Sequence, residues 1–247
     1  MTTSLKDAVV DLLPGSWANV GLLLVTVAAY WMARWLYLRS RSNPLLIPVL
    51  TAVVLIVTIL VTFNIPYEQY AQSTRLLQLL IGPATVALAV PLYTHLEQLK
   101  RMWIPLVTAL LAGGITAIVS ALLIVWVFGG SVELLLSLAP KSATMPVSIP
   151  ASVAVGGVAS LVAVSTAITG IVGVLIASPL FRWIGVKDPV VQGFTLGLTS
   201  HAIGTARSIQ INSEAGGSAA LAMGLNGLLT AALMPFLPYV LAWWQLG

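Results

Sequence analysis

Pro140-Lys141-Ser142-Ala143-Thr144-Met145-Pro146-Val147-Ser148-Ile149-Pro150 puts three prolines and a lysine inside a chain that is otherwise almost entirely apolar. Proline removes a backbone donor and its ring clashes with the preceding turn, so a helix has to break here. Broken backbone at membrane depth survives only where protein or a water-filled cavity satisfies it. A lysine beside such a break is a candidate anion site, and this is the main sign of a transporter in the sequence.

Working outward, the composition sets the class. The chain has 247 residues, 59% hydrophobic and 7% charged, with mean hydropathy +1.01. Soluble domains carry roughly 25% charged residues. The expectation is an all-α polytopic membrane protein with about six to eight segments, at about 20 residues per span. The net charge of +4 sits in flanks of apolar runs and does not suggest nucleic acid. Cysteine is absent, which excludes disulfides and thiolate chemistry. Residues 1–16 carry Lys6, Asp7 and Asp11 and do not read as a signal peptide.

One membrane domain over residues 1–247 is expected. It comprises a peripheral helix pair (17–63), a first broken-helix repeat (74–128), a second (131–182) and C-terminal helices (189–245). Arginine and lysine place loops 34–43, 94–101 and 182–187 in the cytoplasm. If the segment 155–181 then runs inward to Arg182, residues 131–153 must enter and leave on the outer side, as a re-entrant hairpin; if they cross instead, Arg182 and Lys187 lie outside, and the re-entrant reading is preferred. The two interrupted stretches also align without gaps, Ala84–Pro91 on Ala143–Pro150. The predicted helix breaks are Pro83, Pro91, Pro140, Pro146, Pro150 and Gly204. Paired interrupted helices with substrate at their junction are a device of secondary transporters. Chance in an Ala/Val/Leu-rich chain is the plain alternative.

Lys141 is costly at bilayer depth. It either snorkels to the headgroups or binds an anion with Ser142, Thr144 and the amides of a half-helix beginning there. Thr85 is the corresponding hydroxyl of the first repeat. A second cluster is 199–207, and Gly193, Gly197, His201 and Thr205 recur every fourth residue through it and just before it, a single helix face flanked by Ser200 and Gly204. Small residues there fit close helix packing, and His201 is the group that can change charge near neutral pH. Asn226 either contacts substrate or joins helices. The seven acidic residues (Asp7, Asp11, Glu68, Glu97, Glu133, Asp188, Glu214) fall at ends or in loops. A cation carrier or carboxylate relay needs one in mid-span, so an anionic substrate is favoured. No cofactor or metal site is suggested.

Four stretches resemble the LrgB/CidB membrane protein family, YohK-type members included: Gly82–Tyr93, Leu138–Pro146, Ser200–Arg207 and Ala222–Gly227. The Arg39–Pro44 boundary is also similar, and the resemblance covers about residues 20–240. It implies a multi-pass protein of the inner (cytoplasmic) membrane and two functional expectations. One is secondary transport of small monocarboxylates (glycolate, glycerate or pyruvate-like) by alternating access, since the plastidial glycolate/glycerate translocator is similar to this family. The other is holin- or antiholin-like control of murein hydrolase export and cell lysis, beside a small LrgA/CidA-type membrane partner. Small-residue faces also fit a homo-oligomer. With two histidines and no mid-span carboxylate, an enzyme is not expected.

Overall fold

A computed structural model describes residues 17–40, 46–87, 89–94 and 96–245, all helical or connecting, with no strand among them. Four of the described helical stretches are long and apolar enough to cross a membrane: Val20–Arg39, Trp103–Val127, Ala159–Ile184 and Ser213–Ala242. Helices are the expected solution where lipid offers the backbone no hydrogen-bond partner. Contacts cluster into two units, Met1–Ala87 and Leu88–Gly247.

In the first unit, α1 (Trp17–Arg39) packs on α2 (Pro48–Thr62) and α3 (Tyr67–Ser73), and α4 (Arg75–Ala87) follows. Thr26 Oγ1 reaches the Tyr70 hydroxyl at 3.2 Å, tying α1 to α3. The Arg39 guanidinium lies 5.5 Å above the Trp35 ring, a cation–π contact at the basic end of α1.

The second unit begins with the short helices α5 (Ala89–Thr94) and α6 (Leu96–Arg101), then α7 (Trp103–Val127). Next come α8 (Val132–Leu138) and α9 (Met145–Val153), each too short to span a membrane. They form a hairpin with residues 139–144 at its tip. Ser152 Oγ donates to Leu136 O at 2.8 Å, and Val158 N to Ser137 Oγ at 2.8 Å. Leu135 and Leu136 share an apolar cluster with Leu122 and Val125 at the end of α7. Val158 caps the start of α10 (Ala159–Ile184). The hairpin therefore leaves from the end of α7 and returns beside it, as the re-entrant expectation requires.

Gly185, at φ +75°, ends α10 in the left-handed conformation that favours glycine. Asp188 then caps α11 (Pro189–Ile211), accepting from Val190 N at 2.8 Å and Val191 N at 3.2 Å. Asp188→Ala is expected to cost about 1 kcal/mol, read as a lowered midpoint of thermal unfolding in detergent.

A straight helix of this length would separate its ends by about 33 Å. Both ends of α11 instead lie against the first turns of α12 (Ser213–Leu233). Ser218 Oγ donates to Val190 O at 2.9 Å, while at the other end Ile209 lies against Gly216. Asn212 both ends α11 and caps α12, accepting from Ala215 N at 2.7 Å. The reversal is at His201, whose φ of 41° and ψ of −128° leave the helical region. A Cβ on Gly204 would strike the Leu196 carbonyl, although eight helical residues span roughly 12 Å. So α11 is a second hairpin, with arms 189–200 and 202–211. A 3-10 turn (Met234–Phe236) and α13 (Leu237–Gln245) end the described chain.

Several sequence expectations are corrected here. The break in 189–211 is at His201, not Gly204; the glycine provides room for the returning arm. Pro83 and Pro150 lie inside α4 and α9, which continue through them. Pro91 lies within α5. Pro140 is in the tip, and Pro146 occupies the first turn of α9, where a missing N–H costs nothing. The two aligned copies also differ: residues 84–87 are the last turn of α4, whereas 143 and 144 precede α9. The structural counterpart of the α8–α9 hairpin is α11.

Candidate functional site

The two hairpins enter from opposite ends of their neighbours. The first starts at the C-terminal end of α7. The second starts beside the N-terminal end of α7, where Val190, Phe194 and Leu198 join a cluster with Leu106 and Leu110. Their tips meet halfway. Lys141 and Ser142 from the first tip and Thr199 from the second line one cavity of about 360 Å³, with Ala117, Ile168, Thr169, Val172 and Gly173. Ala117 is near the middle of α7, and Ile168–Gly173 near the middle of α10. The cavity is thus at mid-span depth. A larger hollow of about 510 Å³ at the α2–α3 corner has no charged residue in its lining and offers less chemistry.

The first tip is a pair of tight turns. Lys141 N donates to Leu138 O at 3.2 Å and Ala143 N to Pro140 O at 2.9 Å. The Lys141 side chain is half-buried and has no ion-pair partner among the described residues. Thr144 is the N-cap of α9 without a side-chain capping bond, and it is not in the cavity lining.

The second tip is strained. A non-glycine residue at positive φ is uncommon and costs on the order of 1–3 kcal/mol. His201 is held there by its ring: Nε2 lies 2.9 Å from Thr166 O, and Gly170 leaves space beneath it, since a Cβ there would come within 2.8 Å of His201 Cε1. His201 is 3% exposed, so it stands behind the cavity rather than in its wall. Ser200 is also buried, 3.4 Å from Thr199 Oγ1. Thr205 Oγ1 donates to His201 O at 2.9 Å and approaches Ala219 O at 3.4 Å. Gly193 and Gly197 bring the outgoing arm onto the α12 backbone at Ala215 and Ala219, the close packing that small residues permit.

Asn226 ties the tips together. Its Nδ2 donates to Ser142 O at 3.0 Å and to Leu198 O at 3.1 Å. Of the sequence candidates, Lys141 and Ser142 share the cavity, with Asn226 bonded to its rim and His201, Ser200 and Thr205 behind it. Thr85 is in the first unit, and its side chain lies outside the described residues. Thr199 opens the 199–207 cluster that the sequence marks, though without a role of its own there. Thr169 and Gly173 were not singled out by the sequence, since nothing local marks α10 residues as cavity wall.

Fold and site define a polytopic membrane protein with two opposed helical hairpins meeting at a mid-span cavity, whose largely apolar wall carries Lys141 and the hydroxyls of Ser142, Thr169 and Thr199. The chain belongs to the LrgB-like family, which it matches over residues 26–240, and is a multi-pass protein of the cell membrane. It is 35% identical over 219 residues to YxaC of Bacillus subtilis (strain 168), covering 89% of this chain and 95% of that protein. It is 26% identical to the antiholin-like protein LrgB of Bacillus mycoides (strain KBAB4) and 25% to that of Bacillus cereus (strain B4264), covering 88% of this chain and 95% of each. No solved structure matches.

Proposed function

We propose that the chain is a secondary transporter that carries a small monocarboxylate through the cavity between the hairpin tips by alternating access. The observation that supports this best is the meeting of two opposed hairpins at a lysine with no ion-pair partner among the described residues. Broken helices converging at mid-membrane, with freed backbone beside them, are how secondary transporters build substrate sites. The carboxylate pairs with Lys141 and Ser142, and a 2-hydroxy or 2-oxo group faces Thr199. His201 stands behind the second tip as the candidate proton carrier. Cavities of a few hundred Å³ suit small ligands.

A second reading has its own support. The relatives' names speak for antiholin-like control of lysis and name no transported substrate. Under that reading the hairpins are a packing device, and an LrgA/CidA-type small membrane protein or a second copy of this chain is the partner.

Uptake of labelled glycolate, glycerate and pyruvate into proteoliposomes holding the purified chain separates the two. Saturable uptake supports transport. Absence of uptake under every imposed gradient, with a lysis phenotype that survives scrambling of residues 140–150, favours the lysis regulator. Thr199→Val keeps the side-chain volume and removes the hydroxyl. It is expected to raise KM about tenfold for a 2-hydroxy acid and to leave acetate, which lacks that group, unchanged.

A further inference from the structure

We infer that Asn226 is a positioning residue that latches the two hairpin tips together, so that opening one side of the cavity leaves the other side held. This rests on the proposed site. Asn226 is 2% exposed. A side-chain amide nitrogen has two protons to donate, and here one goes to each tip: Ser142 O at 3.0 Å and Leu198 O at 3.1 Å. Ser142 lines the cavity and Leu198 precedes Thr199, which also lines it.

A residue that merely joined two helices would need one acceptor on one neighbour. Asn226 instead lies on α12, outside both hairpins, and binds backbone at a discontinuity in each. Swinging the first hairpin away breaks the bond to Ser142 O; swinging the second breaks the bond to Leu198 O. With one bond broken the other tip stays anchored, and simultaneous opening loses both. That asymmetry is what alternating access demands of its gates. Gly114 on α7 backs the latch: a Cβ there would lie 3.1 Å from Asn226 Oδ1 and 2.7 Å from Leu229 Cδ2.

The chain has no cysteine, so labels can be introduced cleanly. Met145→Cys, just past the first tip, and Ala206→Cys, on the returning arm of the second, are both at exposed positions outside the proposed binding groups. Spin labels on this pair report the distance between the hairpins in the full chain in liposomes. The parent pair is expected to give one narrow distribution. Asn226→Asp, which loses the two amide donors at constant volume, and Asn226→Leu should each add a longer component. Its population should rise about fivefold or more for each hydrogen bond lost, with KM for the carboxylate rising in step. Gly114→Ala keeps the amide but presses on it, and should shift the distribution the same way. It decides the matter if the Asn226 variants do not fold. Unchanged distances in folded variants overturn the latch, whatever the transport result. A parent chain that transports no carboxylate, but whose distance broadens on Asn226 substitution, overturns the transport reading and leaves the latch standing.

Discussion

Lys141→Ala is expected to abolish saturable carboxylate uptake while the protein still inserts and folds. The loss should be about a hundredfold in Vmax/KM, the scale of one charge-assisted hydrogen bond. Lys141 has no ion-pair partner among the described residues, so removing it strands no opposing charge, and stability should change little. Lys141→Arg keeps the charge but brings a larger planar group into a cavity of about 360 Å³. Partial uptake is expected, with the smallest acids most impaired, because arginine and lysine are not interchangeable at a tight site. The check is initial uptake rate against concentration, normalised to folded protein recovered. Unaltered kinetics in Lys141→Ala would remove the proposed site.

Gly197→Val is expected to leave little folded protein. A Cβ on Gly197 would come within 2.7 Å of Ala219 Cα and C and would strike the Ala219 carbonyl. Backbone cannot rotate aside as a side chain can. Over-packing of this kind costs about 3 kcal/mol, and two further methyl groups have no room. The same argument applies to Gly193 against Ala215. Gly224 is the control: among the described residues nothing lies within 4 Å of a Cβ placed there, and Gly224→Ala should stay within about 0.5 kcal/mol of the parent. Monodisperse yield after detergent extraction and the thermal midpoint measure both. Equal loss in the two variants would mean that α12 tolerates no added bulk anywhere, and would remove the specific role of the α11–α12 seam.

The membrane class, the long helices and the first hairpin were legible because each rests on local chemistry. Apolar runs at span length, basic flanks and clustered prolines act over a few turns. Placing Arg182 in the cytoplasm already required residues 131–153 to turn back. The second hairpin was not legible in this way. Residues 189–211 contain no internal proline after Pro189 and keep helical composition throughout, so the every-fourth-residue pattern of Gly193, Gly197, His201 and Thr205 read as one face of one helix. The pattern has a different origin: Gly197 and Thr205 meet the same Ala219 from two arms running in opposite directions.

The sequence by itself determined that the chain is a helical membrane protein, that it breaks within 140–150, and that a lysine, Lys141, stands beside that break. These follow from solvation and backbone sterics, which need no distant partner. Only the tertiary structure decided where α11 reverses, which hydroxyls share a cavity with Lys141, and which carbonyls Asn226 binds. His201 holds its strained backbone because Thr166 and Gly170, on another helix, receive its ring, and Asn226 matters because two carbonyls distant in sequence converge on one amide. Such contacts carry no local signature, since each half is an ordinary residue until packing brings the other to it.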